Sequence, residues 1–210
     1  RAELNFEDAE IERVADNLVL GFPQAEPPFS DRGDFVERYE ALSTIEELGS
    51  DDANVAQLAA RANDDEELLN NLLRVYGYYD GQVTRSIGTV QAGDDTAEES
   101  LTVRFDIVPG NRYRVGAVDL GNLAAAPDFE ELRAAFEIYP GDFLQSDTIV
   151  QEQFDLDRML GETGYPFAAI DEPQLLIDHA REEGDLTLAV EPNGRYVFGE
   201  VTSSAPQFLS

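Results

Sequence analysis

Hydrophobic positions along the second half of the chain change period in a fixed order. Tyr113 to Leu120 is a short run rich in Val, as a strand requires. Pro127-Asp128 then opens a segment with Phe129, Leu132 and Phe136 at helical spacing. Pro140-Gly141-Asp142 makes a turn, and Ser146 with Asp147 reads as the N-cap of a second helix. The apolar face of that helix collects Ile149, Val150, Phe154, Leu156 and Leu160. Gly164 is its expected stop, because the residue after a helix favours a left-handed backbone that Gly adopts freely. Phe167 to Ile177 follows as extended chain. Leu186, Leu188 and Val190 then alternate with Thr187 and Ala189, the pattern of a half-buried strand. The predicted order is β-α-α-β-β.

The first half reads the same way. Phe35, Tyr39 and Leu42 share one helical face; Leu58, Leu69, Leu72 and Leu73 share the next, which stops at Gly77. Leu101, Val103, Phe105 and Ile107 alternate with Thr102, Arg104 and Asp106. Laid over itself at a shift of 83, the chain repeats Val103, Phe105, Ile107, Pro109, Arg112, Tyr113, Val115, Gly116 and Val118. Their counterparts are Leu186, Leu188, Val190, Pro192, Arg195, Tyr196, Phe198, Gly199 and Val201. Upstream, Leu72-Leu73, Gly77-Tyr78 and Val83 correspond to Met159-Leu160, Gly164-Tyr165 and Ile170. Leu18-Val19-Leu20-Gly21 followed by Asp34-Phe35 echoes Val118-Asp119-Leu120-Gly121 followed by Asp128-Phe129, which gives the first unit its opening strand. The expected division is an acidic linker over 1–14, one unit over 15–110, a second over 111–193, and the first strand of a third over 194–210. The connection at Gly110 to Arg112 is too short for a flexible tether, so the units are expected to be coupled in orientation.

Composition narrows the function. A net charge of −30 argues against nucleic acid and against a surface that hugs anionic lipid. With 42% hydrophobic and 10% aromatic residues the sequence nevertheless belongs with folding chains. The absence of cysteine removes disulfides, thiolate metal sites and cysteine nucleophiles together, and suits an oxidising compartment such as the periplasm.

The segments LLRVYGYYDGQV (Leu72 to Val83), FDIVPGNRYRVGAVDL (Phe105 to Leu120), LGETGYPFAAI (Leu160 to Ile170) and VEPNGRYVFGEV (Val190 to Val201), in this joint spacing, resemble the POTRA domain of the outer-membrane-protein assembly superfamily. GYYDGQV and GYPFAAI place the likeness with the TamA branch, with BamA and two-partner secretion transporters as alternatives. The resemblance implies an α+β fold of tandem POTRA modules, each a mixed three-stranded sheet packed on two helices. It implies a non-enzymatic periplasmic scaffold ahead of a C-terminal membrane barrel that lies outside this sequence. Its implied partners are a TamB-like periplasm-spanning subunit and nascent outer-membrane proteins; no cofactor is implied.

Such modules bind extended guests by backbone pairing at a sheet edge. The resemblance assigns that edge to the strand after the second helix, Gln82 to Val90 and Ala168 to Ile177. The candidate residues are Gln82, Val83, Thr84, Arg85, Ser86 and Ile87 in one unit, and Ala168, Ala169, Ile170, Leu175 and Leu176 in the other. Arg85 and the Glu172-Pro173 kink can equally serve to protect the edge. Gly77-Tyr78 and Gly164-Tyr165 read as a helix stop followed by a tyrosine packed over the sheet, its hydroxyl seeking a partner at the rim. Paired carboxylates at Asp51-Asp52, Asp64 to Glu67, Asp94-Asp95 and Glu98-Glu99 raise a secreted carbohydrate hydrolase as a reading from another class. They are expected in loops or a helix's first turn. Clustered oxygens raise a calcium-binding adhesion module, although the spacing of a calcium loop is absent. His179, the single histidine, reads as a hairpin surface residue.

Overall fold

The computed structural model describes residues 9–45, 55–90, 100–197 and 199. In the first unit, strands β1 (Ala9–Ala15) and β2 (Leu18–Pro23) lead into helices α1 (Arg32–Glu40) and α2 (Val55–Val75), then strands β3 (Gln82–Val90) and β4 (Ser100–Val108). In the second, β5 (Arg114–Gly121) runs through a short 3-10 turn (Asn122–Ala125) into α3 (Phe129–Ala134) and α4 (Ser146–Glu162). Strands β6 (Ala169–Ile170), β7 (Gln174–Asp178) and β8 (Glu183–Glu191) close it. The class is α+β, with two sheets and four α-helices among the described residues.

Each sheet is built around its last strand. β4 pairs parallel with β2 and antiparallel with β3; β8 pairs parallel with β5 and antiparallel with β6 and β7. The echo at the opening of the first unit is structural: Leu18 lies opposite Val103 as Val118 lies opposite Leu186. Alternation places Val103, Phe105 and Ile107 in one core and Leu186, Leu188 and Val190 in the other, all at most 1% exposed. The helices cover one face of each sheet with Phe35, Tyr39, Leu69 and Leu73, and with Leu132, Leu156 and Leu160.

Four sequence expectations are corrected. The stretch read as an acidic linker contains β1, which pairs antiparallel with β2 from Ala9 opposite Pro23 to Ala15 opposite Leu18, so the first sheet has four strands rather than three. Its inward side is supplied only by Val14 and Ala15, while Glu10, Ile11 and Arg13 are exposed, so the strand leaves little hydrophobic trace. Leu42 lies beyond the end of α1 and is 50% exposed, and Val150 and Phe154 lie on the outer side of α4. That helix needs only Ile149, Leu156 and Leu160 to face the sheet. Ser146 and Asp147 do not cap α4: Gln145 occupies the cap position without a side-chain bond, and Asp147 instead pairs with Arg38 of α1. The acids Asp64 to Glu67 sit in the middle of α2, not in a loop or first turn, with Asp65 buried.

Candidate functional site

β3 is the outermost strand of its sheet, and its full length from Gln82 to Val90 pairs with β4 on one side only. Val83 and Ile87 pack inward against the first core, and Gln82 and Thr84 are exposed. Arg85 lies 3.4 Å from Glu66 of α2, and Ser86 is half-buried. In the second unit the corresponding segment is two short strands on the same side of β8. The break between them falls at 171–173, where the Glu172-Pro173 step interrupts a ladder that proline cannot donate to. Ala169 and Ile170 form the first piece; Leu175 and Leu176 lie in the second. Leu175 packs on the second core, while Leu176 is 71% exposed. Ala168 precedes the strand, and its N–H donates to the Tyr165 carbonyl. The structure thus gathers the candidate residues of each unit on one edge.

The two units meet at a joint whose contacts the sequence did not reveal. α2 ends at Gly77 (φ 92°), with the Tyr78 N–H returning to the Leu73 carbonyl at 2.8 Å, a Schellman stop. The Gly77 carbonyl accepts the N–H of Tyr113 at 2.8 Å, and the Tyr76 carbonyl accepts Arg112 Nε at 3.0 Å. Arg112 also lies 3.1 Å from Asp31, which accepts the Tyr78 hydroxyl at 2.7 Å. The Arg112 guanidinium is 4.0 Å from the centre of the Phe143 ring, which belongs to the body of the second unit. A methyl group on Gly77 would meet the Leu144 carbonyl at 2.4 Å, so the units touch at a point only glycine allows. The adjacent tyrosines divide: Tyr78 belongs to the first core and Tyr79 packs against the second.

His179 is exposed as expected but is not an idle surface residue. Its Nδ1 lies 2.8 Å from Asp80 of the first unit and 2.9 Å from the hydroxyl of Tyr113, which itself donates to Asp80. Burial, with Asp80 beside it, pushes the Tyr113 phenol well above its ordinary range. The acceptor roles of Asp31 and Asp128 are not legible in the sequence. Both occupy N-cap positions without capping, and each accepts a tyrosine hydroxyl instead. The echo had paired Asp128 with Asp34, three residues from the true counterpart. The signal available was the tyrosine that each one serves.

Of the carboxylate pairs, Asp51-Asp52, Asp94-Asp95 and Glu98-Glu99 lie outside the described residues. Asp65 accepts hydrogen bonds from the Tyr39 hydroxyl at 2.7 Å and the Ser43 hydroxyl at 2.6 Å, a tie between α1 and α2. A cleft of about 390 Å3 beside Phe22, Phe29 and Ile107 has one carboxylate among its described lining residues, Glu10, already paired with Arg32. Among the described residues no group of three or more His, Asp or Glu is placed to hold a metal ion, and no helix is long and apolar enough to cross a membrane.

No family model matches the sequence, and no curated protein matches it. Solved structures resemble the fold. One is the crystal structure of Haemophilus influenzae BamA POTRA domains 3–5, at 20% identity and a TM-score of 0.43, covering 91% of this chain and 70% of that one. Another is BamA from Haemophilus ducreyi lacking POTRA domains 1–3, at 13% identity and a TM-score of 0.38, covering 72% of this chain and 26% of that one.

Proposed function

We propose that the chain is a pair of POTRA-type modules acting as a non-enzymatic periplasmic scaffold of outer-membrane protein assembly, ahead of a C-terminal membrane barrel. The observation that carries the reading is geometric: two units share a β-α-α-β-β order, the first preceded by β1, each has an outermost antiparallel strand, and they meet at Arg112 and Gly77. A guest adds its backbone to β3 or β7, so that affinity comes from main-chain hydrogen bonds and guests of varied sequence are accepted. Leu176 supplies an apolar foothold on the second edge. The repeat motifs favour the TamA branch, with a TamB-like subunit and nascent outer-membrane proteins as the guests. Of the acids that raise a hydrolase in the sequence, Asp65 is taken up as an acceptor for the Tyr39 and Ser43 hydroxyls and Glu66 stands beside Arg85.

Photo-crosslinking tests this. A benzophenone amino acid at Ser86 or Leu176 in the full-length protein in cells is expected to capture extended clients or a periplasmic subunit. The same label at Asp157, on the outside of α4, serves as the control. Equal adducts at all three positions would remove strand addition as the mechanism.

A further inference from the structure

The repeat matches the flanks of the two edges position for position, and their chemistry is opposite. In the first unit Glu66 of α2 reaches across to Arg85 of β3 at 3.4 Å. In the second, Gln153 of α4 stands 3.5 Å from the Asp171 carbonyl, at the break between β6 and β7. Aligned on Leu72-Leu73 and Met159-Leu160, Glu66 and Gln153 are equivalent, and the buried Ala62, Leu69 and Leu73 match the buried Ile149, Leu156 and Leu160. Three residues before each contact stand Asn63 and Val150, and one turn on from these Glu67 and Phe154. Each pair therefore lies on the helix flank beside the edge, and all four side chains are exposed.

Beside β3 both faces of the sheet are polar. Asn63, Glu66, Glu67, Asn70, Asn71 and Arg74 line an open groove of about 360 Å3 on α2. Arg85 lies on that side of the strand, and its Nη1 is buried with no hydrogen-bond partner among the described residues. On the far face β3 carries Thr84 and Ser86, opposite Asp106 and Arg104. β7 has apolar side chains on both faces. Val150 and Phe154, 48% and 66% exposed, stand on the helix side, and Leu176, 71% exposed, stands on the far face opposite Asp185. The ladders differ too: β3 offers nine residues and β7 five, because the chain breaks at Pro173. A guest at β7 has fewer main-chain hydrogen bonds to make and more apolar surface to cover.

We infer that the two edges are seats for different classes of strand: β7 takes a strand with apolar side chains on both faces, and β3 takes one with hydrogen-bonding side chains. The inference rests on strand addition as the mode of binding and names what each edge accepts. Side chains of an added strand lie beside those of the edge and alternate between the two faces. At β7 the guest's helix-side residues cover Val150 and Phe154, and its far-face residues cover Leu176, removing apolar surface from water. At β3 an apolar guest strips water from Asn63, Glu67 and Arg85 and returns no partner, a cost that a hydroxyl or amide side chain avoids by accepting from Arg85 Nη1. The two units are then not interchangeable, although they share one order of elements.

Competition between two peptides tests this. Both are short and carry the same charged ends; one is built of Val and Leu, the other of Thr and Gln. They are mixed in equal amounts with the full chain bearing a benzophenone amino acid at Thr84 or at Gln174, exposed positions on β3 and β7. The Val/Leu peptide is expected to exceed the other at Gln174 by about tenfold, as covering half of one large apolar side chain would give. The Thr/Gln peptide is expected to lead at Thr84. Phe154→Glu, a change at an exposed side chain, should abolish the preference at Gln174, and Phe154→Gln should weaken it without adding charge. The matched change Glu67→Phe should bring the Val/Leu peptide to Thr84. The same preference at both labels, or one at Gln174 that neither Phe154 variant alters, overturns the inference while strand addition stands. Adducts at neither label would remove strand addition itself, and the inference with it.

Discussion

Asp65 sits in the middle of a helix at 1% exposure and is the acceptor on which the turn after α1 converges. Asp65→Ala leaves the Tyr39 and Ser43 hydroxyl protons buried without their acceptor, a loss of about 3 kcal/mol. The expected outcome is a lower urea midpoint with an unchanged m-value. Tyr39 carries a pH signature of its own. Burial, and then the neighbouring Asp65 charge, push its phenol far above the ordinary value of 10.0. Tyr113, Tyr78, Tyr79 and Tyr165 are shifted the same way, burial leading in each. Below pH 10 folded and unfolded tyrosines are both neutral and this stabilisation is complete. Above it the unfolded chain releases protons that the folded chain keeps, so stability falls as pH rises. Urea midpoints measured from pH 9 to 12 should decline, and Tyr39→Phe should flatten the decline.

Among the elements, β1 protects the flank of β2 that would otherwise present unpaired N–H and carbonyl groups. Deleting residues 1–15 is expected to destabilise the first unit and to produce dimers or larger species, visible by light scattering coupled to gel filtration. The helix stops at Gly77 and Gly164, the alternating β4 and β8, and the doubled order of elements were all readable, because local turn chemistry and burial on one face of a sheet leave a periodic trace. β1 was not readable, since a strand on the outside of a sheet needs little apolar character and this one carries Glu10, Glu12 and Arg13. Val150 and Phe154 misled for the opposite reason: hydrophobic periodicity records which residues are apolar, not which of two adjacent helical stripes meets the sheet. The edge strands were placed correctly in the chain, but the division of the second into β6 and β7 follows from its proline, whose consequence only the ladder displays. Gly77, Arg112 and Tyr113 stood out in the repeat, but their meeting with Asp31 did not, because Asp31 stands far in sequence from Arg112.

At the scale of the whole molecule, the joint is where the two units meet. Arg112→Ala removes the pair with Asp31, the bond to the Tyr76 carbonyl and the stacking on Phe143 together. Label-to-label distances between residues 71 and 158 should broaden, while circular dichroism stays unchanged because neither core is touched. The charge of −30 acts at the same scale: added sodium chloride screens the mutual repulsion and is expected to raise the melting temperature. The placing of Tyr78 and Tyr79 on opposite sides of the boundary carries a calorimetric consequence. The first unit cannot melt without tearing Tyr79 out of the second, so heat should be absorbed in a single endotherm whose van't Hoff enthalpy approaches the total, and Tyr79→Ala should split it in two.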